Sequence, residues 1–250
     1  MIAEIYNKIS KSGSNLSERL EDELTGNYFG NLRYIPFNRG LGRILAKYVY
    51  DEKAIFQEIF SQNQDEEWNT EFWKRSDLGY GEIDCYMSGL SGVSLGIEVK
   101  YRSDLSSEDQ LEREAEMLKE WSINGQKLLL FVAPGKEYCK FVYQKNKDKD
   151  KFKFNDVTLG FLTWEDALLG LKEVATENNF EKLIVEDLCS LLNGKGFHGF
   201  NGFEIKHNDE NKVDASLVWK FVHETKADFS FSDSSPLIRE GAYELRKKYK

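Results

Sequence analysis

Between Lys127 and Ala133 every residue after the lysine is apolar, and Pro134-Gly135 ends the run, which is how a strand buried on both faces reads. Before it, apolar and polar positions alternate twice with a period of two. Gly81-Glu82-Ile83-Asp84-Cys85-Tyr86-Met87 sets Glu82, Asp84 and Tyr86 against Ile83, Cys85 and Met87, and Leu95 to Tyr101 sets Ile97 and Val99 against Glu98 and Lys100. Ser88-Gly89-Leu90-Ser91-Gly92 between them reads as a hairpin loop. The pattern therefore predicts two antiparallel strands followed by a buried one.

Helical spacing surrounds these strands. Leu16, Leu20 and Leu24 recur every fourth residue and predict a helix over Leu16 to Tyr28, with Ser14 or Asn15 as its cap. A turn and a helix from about Leu41 to Phe60 follow, then a short strand and loop around Trp68 to Trp73. Ser103 to Trp121 carries the stripe Leu111, Ala115, Leu118 behind overlapping capping patterns at Ser106 with Asp109 and Ser107 with Gln110. Phe141-Val142-Tyr143 and Phe152-Lys153-Phe154 flank a lysine run from Lys145 to Lys151 and predict a long hairpin with a solvated tip. Beyond it come a strand over Val157 to Leu162, a helix over Trp164 to Ala175 capped by Thr163, and a helix over Glu181 to Leu192 ended by glycines. A hairpin over Phe203 to His207 and Ala215 to His223, and a helix over Ile238 to Tyr249, close the chain. This is an α/β pattern with a mixed central sheet flanked by helices. We divide it into a core over residues 1–156 and a C-terminal α+β extension over 157–250, which can also belong to the same domain.

Composition narrows the class. Over 250 residues the formal net charge is −9, which argues against a surface that coats nucleic acid generally, although a local basic cleft or a bound metal can coexist with an acidic exterior. The three cysteines, Cys85, Cys139 and Cys189, form no C-x-x-C pair, so we expect reduced thiols, no zinc site and a cytoplasmic location. No apolar run approaches the roughly 20 residues of a membrane helix.

Paired strands would bring Asp84, Glu98 and Lys100 to one side of the sheet. Two neighbouring carboxylates raise each other's pKa and need a compensating cation. With oxygen ligands and no Cys or His in the set, that cation would be hard Mg²⁺ or Mn²⁺, able to activate water and neutralise phosphoryl charge, with Lys100 orienting the water. The plainer alternative is an amphipathic hairpin with a solvated charged face. The segment Gly30 to Arg43, with Arg33, Arg39 and Arg43 among glycines and aromatics, suits either a turn leading into a helix or one wall of a phosphate-binding cleft. The lysine run offers a second place for phosphate contact.

Asp84, a spacer, then Glu98-Val99-Lys100 resembles the PD-(D/E)XK nuclease superfamily over roughly Leu16 to Pro134, with Ile83 where that family commonly has Pro. The tripeptide alone is weak, since Glu204-Ile205-Lys206 and Glu224-Thr225-Lys226 repeat it. The resemblance implies a restriction-endonuclease-like α-β-β-β-α-β core and divalent-metal-dependent hydrolysis of phosphodiester bonds, with DNA favoured and defence against foreign DNA or a mobile element as the usual setting. It implies that Asp84, Glu98 and the Val99 carbonyl hold metal, and that Lys100 assists the nucleophile. The first helix would add a carboxylate: Glu21-Asp22-Glu23-Leu24-Thr25 favours Glu21, with Glu23 still open and a helix-dipole role for these acids as the alternative. Gln110 would support the site from the helix after Lys100, or cap its own helix. The acidic exterior points to a protein partner or a homo-oligomer that supplies nucleic-acid affinity. A nuclease-fold protein without activity, serving as an interaction module, is the alternative function.

Overall fold

The structure is a computed structural model that describes residues 16–62, 66–122, 124–153 and 156–198. The terminal hairpin and helix expected after Phe203 lie outside these residues, as does most of the glycine-aromatic stretch from Gly199 onward. In order the elements are α1 (Leu16–Leu32), α2 (Leu41–Tyr48), α3 (Ile55–Gln62), β1 (Trp68–Arg75), β2 (Glu82–Gly89), β3 (Ser94–Val99), α4 (Gln110–Trp121), β4 (Lys127–Ala133), α5 (Lys136–Asn146), α6 (Asp150–Lys153), β5 (Thr158–Thr163), α7 (Trp164–Lys172) and α8 (Asn179–Gly194). The five strands form one sheet in sequence order, β1-β2-β3-β4-β5. The first two pairings are antiparallel and the last two parallel, so the sheet is mixed and α/β in character.

Alternation along β4 explains why both faces are covered. Leu128, Leu130 and Val132 join a core with residues of α1, α2, α3, α7 and α8, whereas Leu129, Phe131 and Ala133 join a second core with Leu111, Ala115 and Leu118 of α4 and Cys139, Val142 and Tyr143 of α5. Parallel strands need crossovers, and helices supply them on the sheet's faces. Between β3 and β4 the close helix–sheet approach is made possible by Gly96: a Cβ there would lie 2.5 Å from Ile83 Cδ1 and 3.1 Å from Leu118.

Several expectations need correction. The helix from Leu41 to Phe60 is two helices, because Tyr50 bridges to Phe161 at the sheet edge and Asp51 then starts α3 by accepting hydrogen bonds from the Ile55 and Phe56 N–H groups. The period of two predicts Ile83 and Cys85 on one face, yet they belong to opposite cores. The β1–β2 ladder skips Trp73 and Asp84, and Trp73 takes a φ of 49° there, which turns the strand locally. The lysine-rich hairpin is helical: Cys139, Val142, Tyr143 and Asn146 fall at helix spacing and are buried on one side of α5. β5 pairs with β4 along its length, so residues 157–198 continue the same sheet and core. Thr163 does cap α7, accepting from the Asp166 N–H at 3.0 Å.

Candidate functional site

The register of β2 on β3 sets Cys85 opposite Ile97, one step before Asp84 and Glu98. From this point the chain leaves the ladder. Asp84 Oδ2 accepts the Val99 N–H at 2.8 Å, while the Lys100 N–H is held by Val132 O at 2.7 Å and the Lys100 carbonyl accepts from Trp164 Nε1 at 3.0 Å. Trp164 is fully buried and its ring meets Tyr28 edge-on, so the backbone carrying Lys100 is pinned between β4 and the α1/α7 layer.

Lys100 Nζ lies 2.8 Å from Glu98 Oε1 and 2.9 Å from Glu21 Oε1. Glu21 also accepts from the Tyr101 N–H at 3.0 Å and the Ser103 hydroxyl at 2.5 Å, so three donors fix it. The structure thus brings Glu21, not Glu23, to Lys100; Glu23 stands 3.8 Å from Lys195 at the margin. In this arrangement Glu21 anchors the lysine. Gln110 opens α4, which begins at Gln110 rather than Ser103 because Ser103 is tied to Glu21 and the Ser106 N–H and hydroxyl both donate to Gln110 Oε1. With its oxygen so occupied, Gln110 Nε2 donates to Glu98 Oε1 and to Glu114 Oε1. Gln110 therefore does more than cap its helix.

Glu114, absent from the sequence-based candidates, also joins the cluster. It sits three residues after Leu111 and one before Ala115, inside the apolar stripe, and an acid at a core position was the available signal. Exposure is 3 % for Glu98, 7 % for Lys100, 8 % for Glu21 and 2 % for Glu114, whereas Asp84 is partly exposed.

Acids outnumber bases here, and the electrostatics follow. Burial, then the neighbouring Glu98, pushes Asp84 well above the carboxylate range against the opposing pull of Lys100 and the Val99 N–H. Burial and the adjacent Glu114 do the same to Glu98. Burial raises Glu114 to about 8, despite hydrogen bonds with Glu98 and Gln110. Burial alone would lower Lys100, but Glu98, Glu21 and Asp84 outweigh it and raise its pKa, so the ammonium stays charged.

Among the described residues no group of three or more His, Cys, Asp or Glu side chains is spaced to hold a metal ion. The donor chemistry nonetheless fits a hard cation: all candidate ligands are oxygens, they carry surplus negative charge, and the buried Glu114 Oε2 has no hydrogen-bond partner.

Of the other two places expected to meet phosphate, Arg39 and the lysine run are engaged by acids, while Arg33 and Arg43 are exposed. Arg39 forms a two-pronged pair with Glu181 at 2.8 and 2.9 Å, tying the loop after α1 to the start of α8. Lys145, Lys147, Lys149 and Lys151 pair with Glu108, Glu52, Glu112 and Glu116. No described helix is long and apolar enough to cross a membrane. The chain matches no protein-family model, no curated protein and no solved structure.

Proposed function

We propose that the chain is a divalent-metal-dependent nuclease with a restriction-endonuclease-like core, acting on phosphodiester bonds, with DNA the favoured substrate by resemblance. The observation that carries the reading is the convergence on Lys100: Glu98 from its own strand and Glu21 from α1, 79 residues earlier, both lie within hydrogen-bond distance of its ammonium, beside Asp84. The order of helices α1 to α3, three antiparallel strands, helix α4 and the parallel strand β4 adds support, with α2 and α3 additional to the α-β-β-β-α-β order. Asp84 and Glu98 would hold Mg²⁺ or Mn²⁺, with the Val99 carbonyl and Glu21 as the further ligands that the resemblance implies. When bound, such an ion lowers the pKa of a water and offsets charge on phosphoryl oxygens.

The chain's own groups divide the remaining work. Lys100, kept charged by three acids, directs N–H donors toward water or a phosphoryl oxygen; Glu21, satisfied by three donors, holds that lysine in place. Gln110 orients the Glu98 carboxylate. The paired lysines and the acidic net charge favour nucleic-acid affinity that comes from a protein partner or a second copy of the chain.

A second reading, an inactive interaction module, is favoured by the closure of the site, since Glu21, Glu98 and Lys100 are each less than a tenth exposed. Cleavage of labelled single- and double-stranded DNA and RNA, with Mg²⁺ or Mn²⁺ and with chelator, separates the two. The nuclease reading expects metal-dependent cutting that Lys100→Ala abolishes. Absence of cutting together with absence of Mn²⁺ binding favours the module.

A further inference from the structure

The α4 stripe has one member that apolar packing does not explain. Leu111, Ala115 and Leu118 are fully buried against β4, and Glu114, in the same stripe, is as deeply buried as they are. Its Oε1 accepts from Gln110 Nε2 at 2.9 Å, but its Oε2 meets no donor. Ionised and without a donor, that oxygen would be costly to bury, and burial accordingly raises Glu114 to about 8 so that the metal-free side chain keeps a proton beside Glu98. The nearby ammonium relieves that cost only at a distance: Lys100 Nζ pairs with Glu98 at 2.8 Å and Glu21 at 2.9 Å, and its charge draws Glu114 down without offsetting burial. Gln110 meanwhile donates to Glu98 and Glu114 with one amide nitrogen, which holds the two carboxylates side by side. A leucine at this position would fill the space without that cost.

We propose that Glu114 is a further ligand of the cation centre, its Oε2 joining Glu98 so that β3 and α4 each supply a carboxylate to one hard divalent ion. This rests on the reading of the cluster as a cation site. It adds a helix-borne ligand to the strand residues Asp84 and Glu98 and gives the burial of Glu114 a purpose. It also assigns Gln110 a double task as the positioning residue that spaces the pair.

Mn²⁺ titration of the full chain at one fixed pH, followed by the loss of the free-ion electron paramagnetic resonance signal, tests it without any activity readout. Glu114→Gln keeps shape and is expected to weaken Mn²⁺ binding about tenfold or more, or to remove one bound ion. Glu116→Gln, on the same helix but paired with Lys119 and Lys151, is expected to bind as wild type does. Wild-type affinity in Glu114→Gln alongside lost binding in Glu98→Gln overturns the inference and leaves the nuclease reading standing. Failure of wild type itself to bind Mn²⁺ overturns both. Should Glu114→Gln not fold, Glu114→Asp, which withdraws the carboxylate by one methylene, is expected to weaken binding too, and unchanged affinity there is equally contrary.

Discussion

Among the described residues, the lysines and acids along α5 and α6 and those around Lys100 behave in opposite ways. Along α5 and α6, Lys145, Lys147, Lys149 and Lys151 each meet one glutamate near the surface, and Glu108 and Glu116 are held below the usual carboxylate range chiefly by their hydrogen bonds to Lys145 and Lys151. Around Lys100 a single ammonium faces Glu21, Glu98 and Asp84, with Glu114 behind, and burial raises Asp84, Glu98 and Glu114 instead. The residue types are the same. Burial and stoichiometry decide between a solvated ladder, where each charge finds its partner, and a buried cluster whose excess negative charge calls for a proton or a cation.

Removing the buried cation should have the largest effect. Lys100→Ala leaves its acids without their ammonium and is expected to lower stability by about 3–5 kcal/mol. Urea denaturation in chelator measures it, and a loss below about 1 kcal/mol would place the lysine's role on a level with surface pairs. The same variant is expected to cut at least about a hundredfold more slowly.

The next effect is on pH dependence. Glu114 binds its proton more tightly folded than unfolded, so its contribution to stability is complete below its ordinary range near 4.5 and declines as pH rises toward about 8. Asp84 and Glu98, raised in the same direction, add to the decline. Metal-free protein should therefore lose stability over that window by up to about 1.4 kcal/mol per pH unit for each titrating group, and Glu114→Gln should flatten the slope. A wild-type profile that rises from pH 5 to 8 would contradict the electrostatics described above.

Disturbing the wall beside the cluster comes third. Gly96→Ala would drive a methyl into Ile83 and Leu118, at an expected cost of about 1–3 kcal/mol in thermal or chemical unfolding. The smallest change belongs to the surface ladder, where Lys151→Ala should alter stability by no more than about 0.5 kcal/mol and less still in high salt. Equal effects from Lys100→Ala and Lys151→Ala would erase the contrast.

The residues that alternate or repeat cleanly were legible in the sequence. The run at Leu128 to Ala133 announced a doubly buried strand, and Leu111, Ala115 and Leu118 announced the face of α4. Asp84, Glu98 and Lys100 could be grouped because strand pairing is a local rule. What escaped was non-local or masked by a louder feature. The lysine run suggested a solvated hairpin, yet the glutamates that neutralise it lie on α4, just before it and beside α3, and the helical spacing of Cys139, Val142, Tyr143 and Asn146 decides the structure. The break in the β1–β2 ladder at Asp84 coincides with the positive φ of Trp73 opposite it, which no pattern in β2 itself could reveal. The choice of Glu21 over Glu23 needed the position of Tyr101 and Ser103. Glu114 is visible as an acid in an apolar stripe, but its closeness to Glu98 of β3 is a non-local fact.

The most direct test of the account is the rate at which wild type and Asp84→Asn hydrolyse duplex DNA in Mg²⁺, with circular dichroism to establish that both are folded. The account predicts chelator-sensitive cutting by wild type and a loss of about a hundredfold or more in the variant. Equal cutting by the two folded proteins would contradict it.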